Sequence, residues 1–336
     1  TAVVNGLILL PFILLFTPSG FLADKYPKPQ IMRNSALFAI AATLLITVCY
    51  WQGWFIAAFA LTFVMGIQSA LYSPAKYGYL KELIGVKNLA QGNAIVQATT
   101  IVSILGGTFV FSAFFEYLLI GVELDSTTTI MQSVVVLGWV FVGLSIIEWL
   151  FSCKLVNTKA RDDDKIFEAK PYLQGQYLKT NFKSIFETRA VWLSIVGLSI
   201  FWAVSQVMLA TFPAFAKETL SITNTLIIQA ILGCTGIGIV IGSLWAARIS
   251  KNHIELGLIP IATIGFASLL GCVAGLTSTY AMAATFLGLG ITGGLLIVPL
   301  NSLMQYHADE NKLGTVLAGN NLIQNITMLG FLIATI

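Results

Sequence analysis

The chain has 336 residues, of which 57% are hydrophobic and only 10% are charged, and its formal net charge is +3. Its mean hydropathy is +0.86. A soluble domain carries about 25% charged residues, so this composition excludes a chain that covers itself with a water-facing surface. It suits a protein whose surface faces lipid.

Apolar runs near twenty residues long recur along the chain, which is the length that a helix needs to cross roughly 30 Å of hydrocarbon. Because lipid offers no partners to backbone N–H and C=O groups, these runs are expected to be helices. A large soluble helical core is the alternative, but the short loops leave it too little polar surface. Ten spans are predicted, at about 1–22, 31–50, 54–73, 92–115, 130–152, 190–212, 224–248, 255–276, 279–303 and 315–336.

Basic residues concentrate in alternate loops. All of the 18 Lys and Arg residues except Lys217 fall on one side of the predicted membrane, whereas the acidic loop with Glu116, Glu123 and Asp125 falls on the other. Cytoplasmic loops are rich in Lys and Arg. The loops predicted to be cytoplasmic are 23–30, 74–91, 153–189, 249–254 and 304–314.

The stretch 153–189 is the only long hydrophilic segment, and it carries "RDDDK" at 161–165. We interpret it as a cytoplasmic linker with one amphipathic helix on the membrane surface near Phe182 and Ile185. It separates an N-terminal helix bundle at 1–152 from a C-terminal bundle at 190–336.

The two halves resemble each other. Three pairs of segments match in the same order and at nearly one offset: "GFLADKY" (20–26) with "GSLWAAR" (242–248), "MGIQSALYSP" (65–74) with "LGITGGLLIVP" (289–299), and "GNAIVQATT" (92–100) with "GNNLIQNIT" (319–327). A duplicated unit of this kind indicates parallel halves related by an axis along the membrane normal, as in the major facilitator superfamily.

The stretch "GFLADKYPKP" (20–29) resembles the loop motif of that superfamily, Gly-x-x-x-Asp-Arg/Lys-x-Gly-Arg/Lys-Arg/Lys. Pro27 and Pro29 depart from the pattern. The resemblance implies an all-α membrane protein with two pseudo-symmetric bundles, helices 2–6 in 1–152 and helices 7–11 in 190–336. The chain is then expected to be a fragment with ten of twelve helices. The gating residues that it implies are Gly20, Asp24, Lys25 and Lys28, and Pro74 in the third span is a further predicted gating residue.

The motif also implies a contact for its carboxylate. Asp24 is expected to lie against the N-terminal turn of the last span, near Leu313–Val316, where the helix macrodipole is positive. Gly20 is expected to let two helices approach closely.

Four further stretches are similar to the bacterial lysophospholipid transporter family: "YSPAKYGYLKEL" (72–83), "GNAIVQATTIVSILGG" (92–107), "GIVIGSLWAARI" (238–249) and "GGLLIVPLNSLMQ" (293–305). The resemblance implies a transporter that moves lysophospholipids across the inner membrane for reacylation. The partners it implies are lysophospholipid, membrane lipids and a fused or neighbouring acyltransferase. The family's polar, acidic first helix is missing from this chain. No nucleic acid, cofactor or metal is predicted.

Uncharged amides within the spans are candidates for headgroup binding, although each can equally be a helix–helix contact. Pro74 is expected to bend or end the third span, which places Lys76 in an interfacial loop. Tyr72 and Lys76 are predicted either to touch the headgroup at the cytoplasmic mouth or to anchor the protein at the interface. The substrate-binding residues predicted in this way are Tyr72, Lys76, Asn93, Gln97, Gln206, Asn301, Asn320 and Gln324.

Three alternatives remain at this point: an exporter of small amphipathic molecules in the same fold, the membrane portion of a fused acyltransferase, and a purely structural membrane protein. An acyltransferase needs a His-x4-Asp pair as base and orienter. Leu258 and Lys312 occupy the positions five after the two histidines. A purely structural membrane protein would not require the internal repeat or the loop motif, so these two features favour a transporter over it.

Overall fold

The structure, a computed structural model, describes residues 2–122, 126–157, 168–222 and 224–335. The predictions for Glu123 and Asp125 and for the "RDDDK" segment lie outside these residues. Regular structure within the described ranges consists of helices. They are α1 (Ala2–Leu14), α2 (Phe16–Lys25), α3 (Lys28–Gln52), α4 (Phe55–Ile84), α5 (Leu89–Leu118), α6 (Thr127–Ser133), α7 (Val135–Cys153), α8 (Ala169–Leu173), α9 (Gln176–Phe186), α10 (Arg189–Glu218), α11 (Thr225–Ile249), α12 (Leu258–Val273), α13 (Thr279–His307) and α14 (Leu313–Ile333), with 3-10 turns at Val86–Asn88 and Glu310–Lys312.

Eight helices in the described part of the chain are long and apolar enough to cross a membrane, and α1 with α2 forms a ninth candidate that is bent by 59°. The remaining predicted span, 255–276, contains α12, which has only 16 helical residues. Each of the ten predicted spans therefore coincides with a helix or a bent helix pair, and the predicted fold class is confirmed.

The expectation that Pro74 ends the third span is wrong, whereas a bend at Pro74 stays a prediction. Helix α4 is continuous for 30 residues and contains Pro74 in its interior. Prolines are tolerated in membrane helices because neighbouring groups satisfy the freed carbonyl. The predicted loop 74–91 consequently shrinks to Gly85 and the following 3-10 turn, and Lys76 lies within a helix.

The amphipathic helix predicted in the linker is present as α9. Its apolar face packs on protein, because Ile185 is fully buried and the ring of Phe182 lies edge-on to that of Phe16 at 5.7 Å between centroids. Ile185 also lies so close to Gly319 that a Cβ there has no room. The expectation that these two side chains rest on the membrane surface is therefore wrong.

The order of elements recurs along the chain. Helix α4 has 30 residues with Pro74 inside, and α13 has 29 residues with Pro299 inside. Each is followed by a three-residue 3-10 turn and then by a long helix, α5 or α14. This repetition agrees with the duplicated unit indicated by the sequence.

The described helices group into two compact units. Unit 1 comprises Thr1–Glu82, Thr108–Ile185 and Asp309–Asn325, and unit 2 comprises Leu83–Gly107, Phe186–Ala308 and Ile326–Ile336. The predicted boundaries of the bundles stay a prediction.

In unit 2, glycines bring α11 and α13 into backbone contact. Gly238 and Gly242 of α11 meet Gly290 and Gly294 of α13, and a Cβ on Gly294 would lie only 2.5 Å from the carbonyl oxygen of Ile239. Both helices carry the G-x-x-x-G spacing, which lets membrane helices approach closely.

In unit 1, α3 and α7 pack through small and hydroxyl-bearing residues. A Cβ on Gly138 would lie 2.6 Å from the Thr47 hydroxyl, and the Thr43 hydroxyl oxygen lies 3.5 Å from that of Ser145. Thr43 and Thr47 also donate to carbonyls of their own helix, so these buried hydroxyls are satisfied.

Candidate functional site

A buried carboxylate meets the N-terminal end of α14 in unit 1. Asp24 of α2 is only 3% exposed. Its Oδ1 accepts from the N–H of Gly314 at 2.6 Å, and its Oδ2 accepts from the N–H and the hydroxyl of Thr315 at 3.1 and 2.7 Å. The first N–H groups of a helix have no intrahelical partners and form the positive end of the macrodipole, so a carboxylate caps them well. The predicted contact of Asp24 with Leu313–Val316 is confirmed.

Two glycines permit this contact between α2 and α14. A Cβ on Gly20 would lie 2.9 Å from the Cα of Thr315, and a Cβ on Gly314 would lie 2.6 Å from the Cβ of Ala23. Side-chain atoms do not approach so closely, and only a residue without a Cβ fits either position. The close helix approach predicted at Gly20 is therefore present.

A buried ion pair joins the start of α3 to the end of α4. The Nζ of Lys28 lies 2.6 Å from Oε1 of Glu82, and the two side chains are 4% and 6% exposed. The Lys28 stem passes over Gly78, where a Cβ would lie 2.7 Å from its Cε and 3.8 Å from Leu317 of α14. Lys25, in contrast, holds its ammonium over aromatic rings of its own segment, 5.5 Å from the ring centroid of Tyr26.

Amides on α14 form short-range bonds within unit 1. Gln324 donates to the side-chain oxygen of Asn320 at 2.8 Å, and Asn325 donates to the backbone carbonyl of Asn321 at 2.6 Å. Both pairs have the i, i+4 spacing that places side chains on one helix face. The Asn321 amide also donates to the hydroxyl of Ser73 at 3.0 Å, which connects α14 to α4.

A second buried polar contact lies in unit 2, between α5 and α13. Asn93 Nδ2 donates to Oε1 of Gln305 at 3.2 Å, and Gln305 Nε2 donates back to Oδ1 of Asn93 at 2.9 Å. Asn93 Nδ2 also lies 3.1 Å from the Ser302 hydroxyl, which accepts from it. Gln305 has no exposed surface. These reciprocal amide bonds make the contact a helix–helix connection in this structure.

The eight residues predicted to bind substrate are divided between the two units. Unit 1 contains Tyr72, Lys76, Asn320 and Gln324, and unit 2 contains Asn93, Gln97, Gln206 and Asn301. Gln97 is buried, and Asn301 donates to the carbonyl of Ile297 at 3.1 Å. Their common role in headgroup binding stays a prediction.

Lys76 and Tyr72 share one face of α4, four residues apart. Both interact electrostatically with Glu148 of α7. The ammonium of Lys76 also lies 5.6 Å from the ring centroid of Tyr77. Lys76 therefore lies within a helix, because α4 continues past Pro74.

The polar residues of these contacts that were not predicted include Glu82, Ser302 and Gln305. Ser302 and Gln305 are three residues apart, so they share a helix face, and this spacing was the available signal. Lys28 begins α3 and Glu82 lies near the end of α4, so nearly two helices separate them and no local pattern joins the two.

The fold and these buried polar contacts define the class: a multi-pass helical membrane protein with the architecture of a transporter. The sequence pattern of the Major Facilitator Superfamily matches residues 2–331. The chain is 30% identical over 328 residues to the lysophospholipid transporter LplT of Photorhabdus laumondii, which covers 95% of this chain and 75% of that protein. It is 28% identical over 338 residues to LplT of Salmonella arizonae, covering 94% of this chain and 74% of that protein.

Solved structures agree with the fold. The human organic anion transporter MFSD10 superposes with a TM-score of 0.74 at 12% identity, covering 98% of this chain and 76% of that one. FucP, a transporter of the same superfamily crystallised in the outward conformation, gives 0.72 at 11% identity, covering 98% and 81%. The chain belongs to the Major Facilitator Superfamily and, within it, to the lysophospholipid transporter family.

Proposed function

We propose that this protein moves lysophospholipids across the bacterial inner membrane by alternating access. The observation that carries the proposal is the similarity to proteins named lysophospholipid transporters over 94–95% of the chain. The chemistry of the spans supports it. A lysophospholipid has a polar head and one long apolar tail, and amides without fixed charge can solvate the head beside an apolar wall.

Translocation by the purified protein in liposomes tests this function. Fluorescent lysophosphatidylethanolamine in the outer leaflet should become protected from a membrane-impermeant quencher faster than in protein-free liposomes. The two-chain lipid with the same headgroup should not. Equal rates with and without protein would contradict the proposal.

The gating proposal concerns Asp24, with Gly20, Lys25, Lys28 and Pro74 around it. Alternating access requires that a contact closing one side of the membrane breaks in each cycle. The cap of Asp24 on α14 is suitable, because a carboxylate at a helix N-terminus contributes up to ~2 kcal/mol when partly buried. A contact of this strength stabilises one conformational state and still allows the transporter to leave it.

The binding proposal concerns the amides and the Tyr72–Lys76 face of α4. The amides of Asn320 and Gln324 form a hydrogen bond with each other. Replacing both residues by alanine removes the two partners together. We expect the Asn320→Ala/Gln324→Ala variant to slow translocation about threefold to tenfold, since a lost hydrogen bond to the headgroup costs roughly 0.5–1.5 kcal/mol. Unchanged translocation in this variant would show that the two amides contribute to helix packing and not to headgroup binding.

The orientation proposal places the basic loops in the cytoplasm. They attract the anionic inner surface, and their Lys and Arg residues resist translocation. Lys87→Cys, in a background without the four native cysteines, should react with an impermeant maleimide only in opened cells. Reaction in intact cells would reverse the orientation.

In the proposed orientation, the lipid reaches the side where a fused or neighbouring acyltransferase would use it. Spheroplasts without that enzyme should take up the lipid and leave it unacylated. Normal acylation in these spheroplasts would show that this acyltransferase does not use the transported lipid.

A further inference from the structure

An apolar groove runs along the surface of unit 2, between α10, α12 and α13. Its volume is about 570 Å³. Small residues of α10 are among its lining residues, and at Gly197 an added Cβ would lie 2.9 Å from Leu300 of α13. The rings of Phe201 and Phe266, 5.3 Å apart between centroids, lie at one end, and Arg189 lies at the other.

The chemistry of the lining is almost uniform. Of the described residues that line the groove, Arg189 alone is charged. The hydroxyl of Ser194 donates to the carbonyl of Ala190 at 2.8 Å, and that of Thr263 donates to Ile259 at 2.8 Å. These hydroxyls are satisfied by their own helices, so the wall between the guanidinium and the rings offers mainly dispersion contacts.

The dimensions suit one acyl chain. From Arg189 to Phe201 the helix rises about 18 Å at 1.5 Å per residue. That length is close to one leaflet, half of the ~30 Å hydrocarbon core. A methylene fills about the 30 Å³ that liquid gives a water molecule, so one chain of sixteen carbons needs ~480 Å³. The groove has room for one such chain.

We propose that this groove holds the acyl chain of the lysophospholipid, with its phosphate on Arg189. The charge is complementary, because guanidinium binds phosphate through paired hydrogen bonds. Arg189 is also the first residue of α10, at the positive end of the helix macrodipole. The inference rests on the proposed function and names a site on the outer wall of unit 2, where the lipid exchanges with one leaflet.

Photolabelling locates the chain. A lysophosphatidylethanolamine with a diazirine at the end of its acyl chain, added to the protein in nanodiscs, should label peptides around Phe201 and Phe266. Thr263 is an exposed groove residue, so Thr263→Trp should fill the groove and abolish this labelling. The matched control Ile264→Trp, at a position that is 68% exposed and outside the lining, should label normally. Labelling that survives Thr263→Trp would overturn the proposal.

Binding measurements test the headgroup contact. Arg189→Gln should weaken lysophosphatidylethanolamine binding about tenfold to a hundredfold, since hydrogen bonds to charged groups are the stronger ones. Arg189→Lys should recover part of the affinity, and Lys183→Gln, on the exposed part of α9, should change nothing. Unaltered affinity in Arg189→Gln would show that the lipid phosphate does not bind to Arg189.

A two-chain phospholipid with the same diazirine separates a substrate site from ordinary boundary lipid. It should label the groove weakly, and equal labelling by both lipids would overturn the proposal. Wild-type protein that translocates the lysophospholipid with no groove labelling contradicts the groove alone. Groove labelling without translocation contradicts the proposed function instead.

Discussion

The helix crossings that hold α14 in unit 1 and α5 in unit 2 share a backbone plan and differ in chemistry. Each helix follows a proline-containing helix and a 3-10 turn. In unit 1 the crossing uses full charges, the Asp24 cap and the Lys28–Glu82 pair. In unit 2 it uses the neutral amides of Asn93 and Gln305.

The difference indicates which contact responds most to a single substitution. A buried charge that loses its partner retains its desolvation cost, whereas a neutral amide loses less. The crossing in unit 1 is therefore expected to be the more sensitive one. This makes it the better candidate for a contact that a substrate or a charge can open.

The largest effect is expected at the ion pair. Glu82→Gln leaves the Lys28 ammonium buried without its carboxylate, which should destabilise the protein by about 3–5 kcal/mol. Thermal unfolding in detergent measures the loss, with Glu116→Gln as the control because that carboxylate is exposed. Equal melting temperatures for the two variants would show that the ion pair contributes nothing.

The next effect is expected at the helix cap. Asp24→Asn retains one acceptor oxygen and turns an NH2 group toward α14, so about 1.5–3 kcal/mol of charge-assisted bonding is lost. Translocation should fall by tenfold or more while the amount of protein in the membrane stays the same. Asp309→Asn is the control, since Asp309 is exposed and its carboxylate accepts from the nearby N–H of Asn311. A wild-type translocation rate in Asp24→Asn would show that Asp24 has no gating role.

A glycine pair separates close packing from charge. Gly314→Ala drives a methyl group into α2 and should cost about 1–3 kcal/mol. Gly106→Ala has no heavy atom within 4 Å of the new Cβ, so it should stabilise its helix by roughly 0.5–1 kcal/mol. The two changes should shift the melting temperature in opposite directions. Shifts of the same sign would contradict the close approach of α2 and α14.

The smallest effect is expected when both amides of unit 2 are replaced. Asn93→Leu or Gln305→Leu alone should cost about 1–3 kcal/mol, because each breaks both reciprocal hydrogen bonds of this buried amide pair. The double variant should cost clearly less than the sum, which a double-mutant cycle measures. Additive costs would show that the two amides do not act as a pair.

Much of the fold was predictable because lipid imposes a simple rule on sequence. Each apolar run must be a helix, and the predicted spans match the helices on that ground. The Asp24 contact was predictable through its motif, which links a carboxylate to a helix end far along the chain. Pro74 misled the prediction because helix breaking was argued from local sterics alone.

The remaining contacts depend on which helices cross and at what height. Asn93 and Gln305 are 212 residues apart, and neither has a local pattern that identifies the other. Ile185 illustrates the same limit, because its apolar face fits a membrane surface as well as a protein surface until Gly319 is located. The glycine spacings of α11 and α13 were readable from the sequence, but the partner of each helix was not.

A reversible cross-link between α4 and α14 tests the central claim, that lysophospholipid translocation requires this crossing in unit 1 to open. The Ser73 hydroxyl and the Asn321 amide are 3.0 Å apart, so cysteines at both positions should form a disulfide in a background without the four native cysteines. Translocation of fluorescent lysophosphatidylethanolamine should stop on oxidation and return on reduction. A cross-linked protein that translocates at the reduced rate would contradict the account.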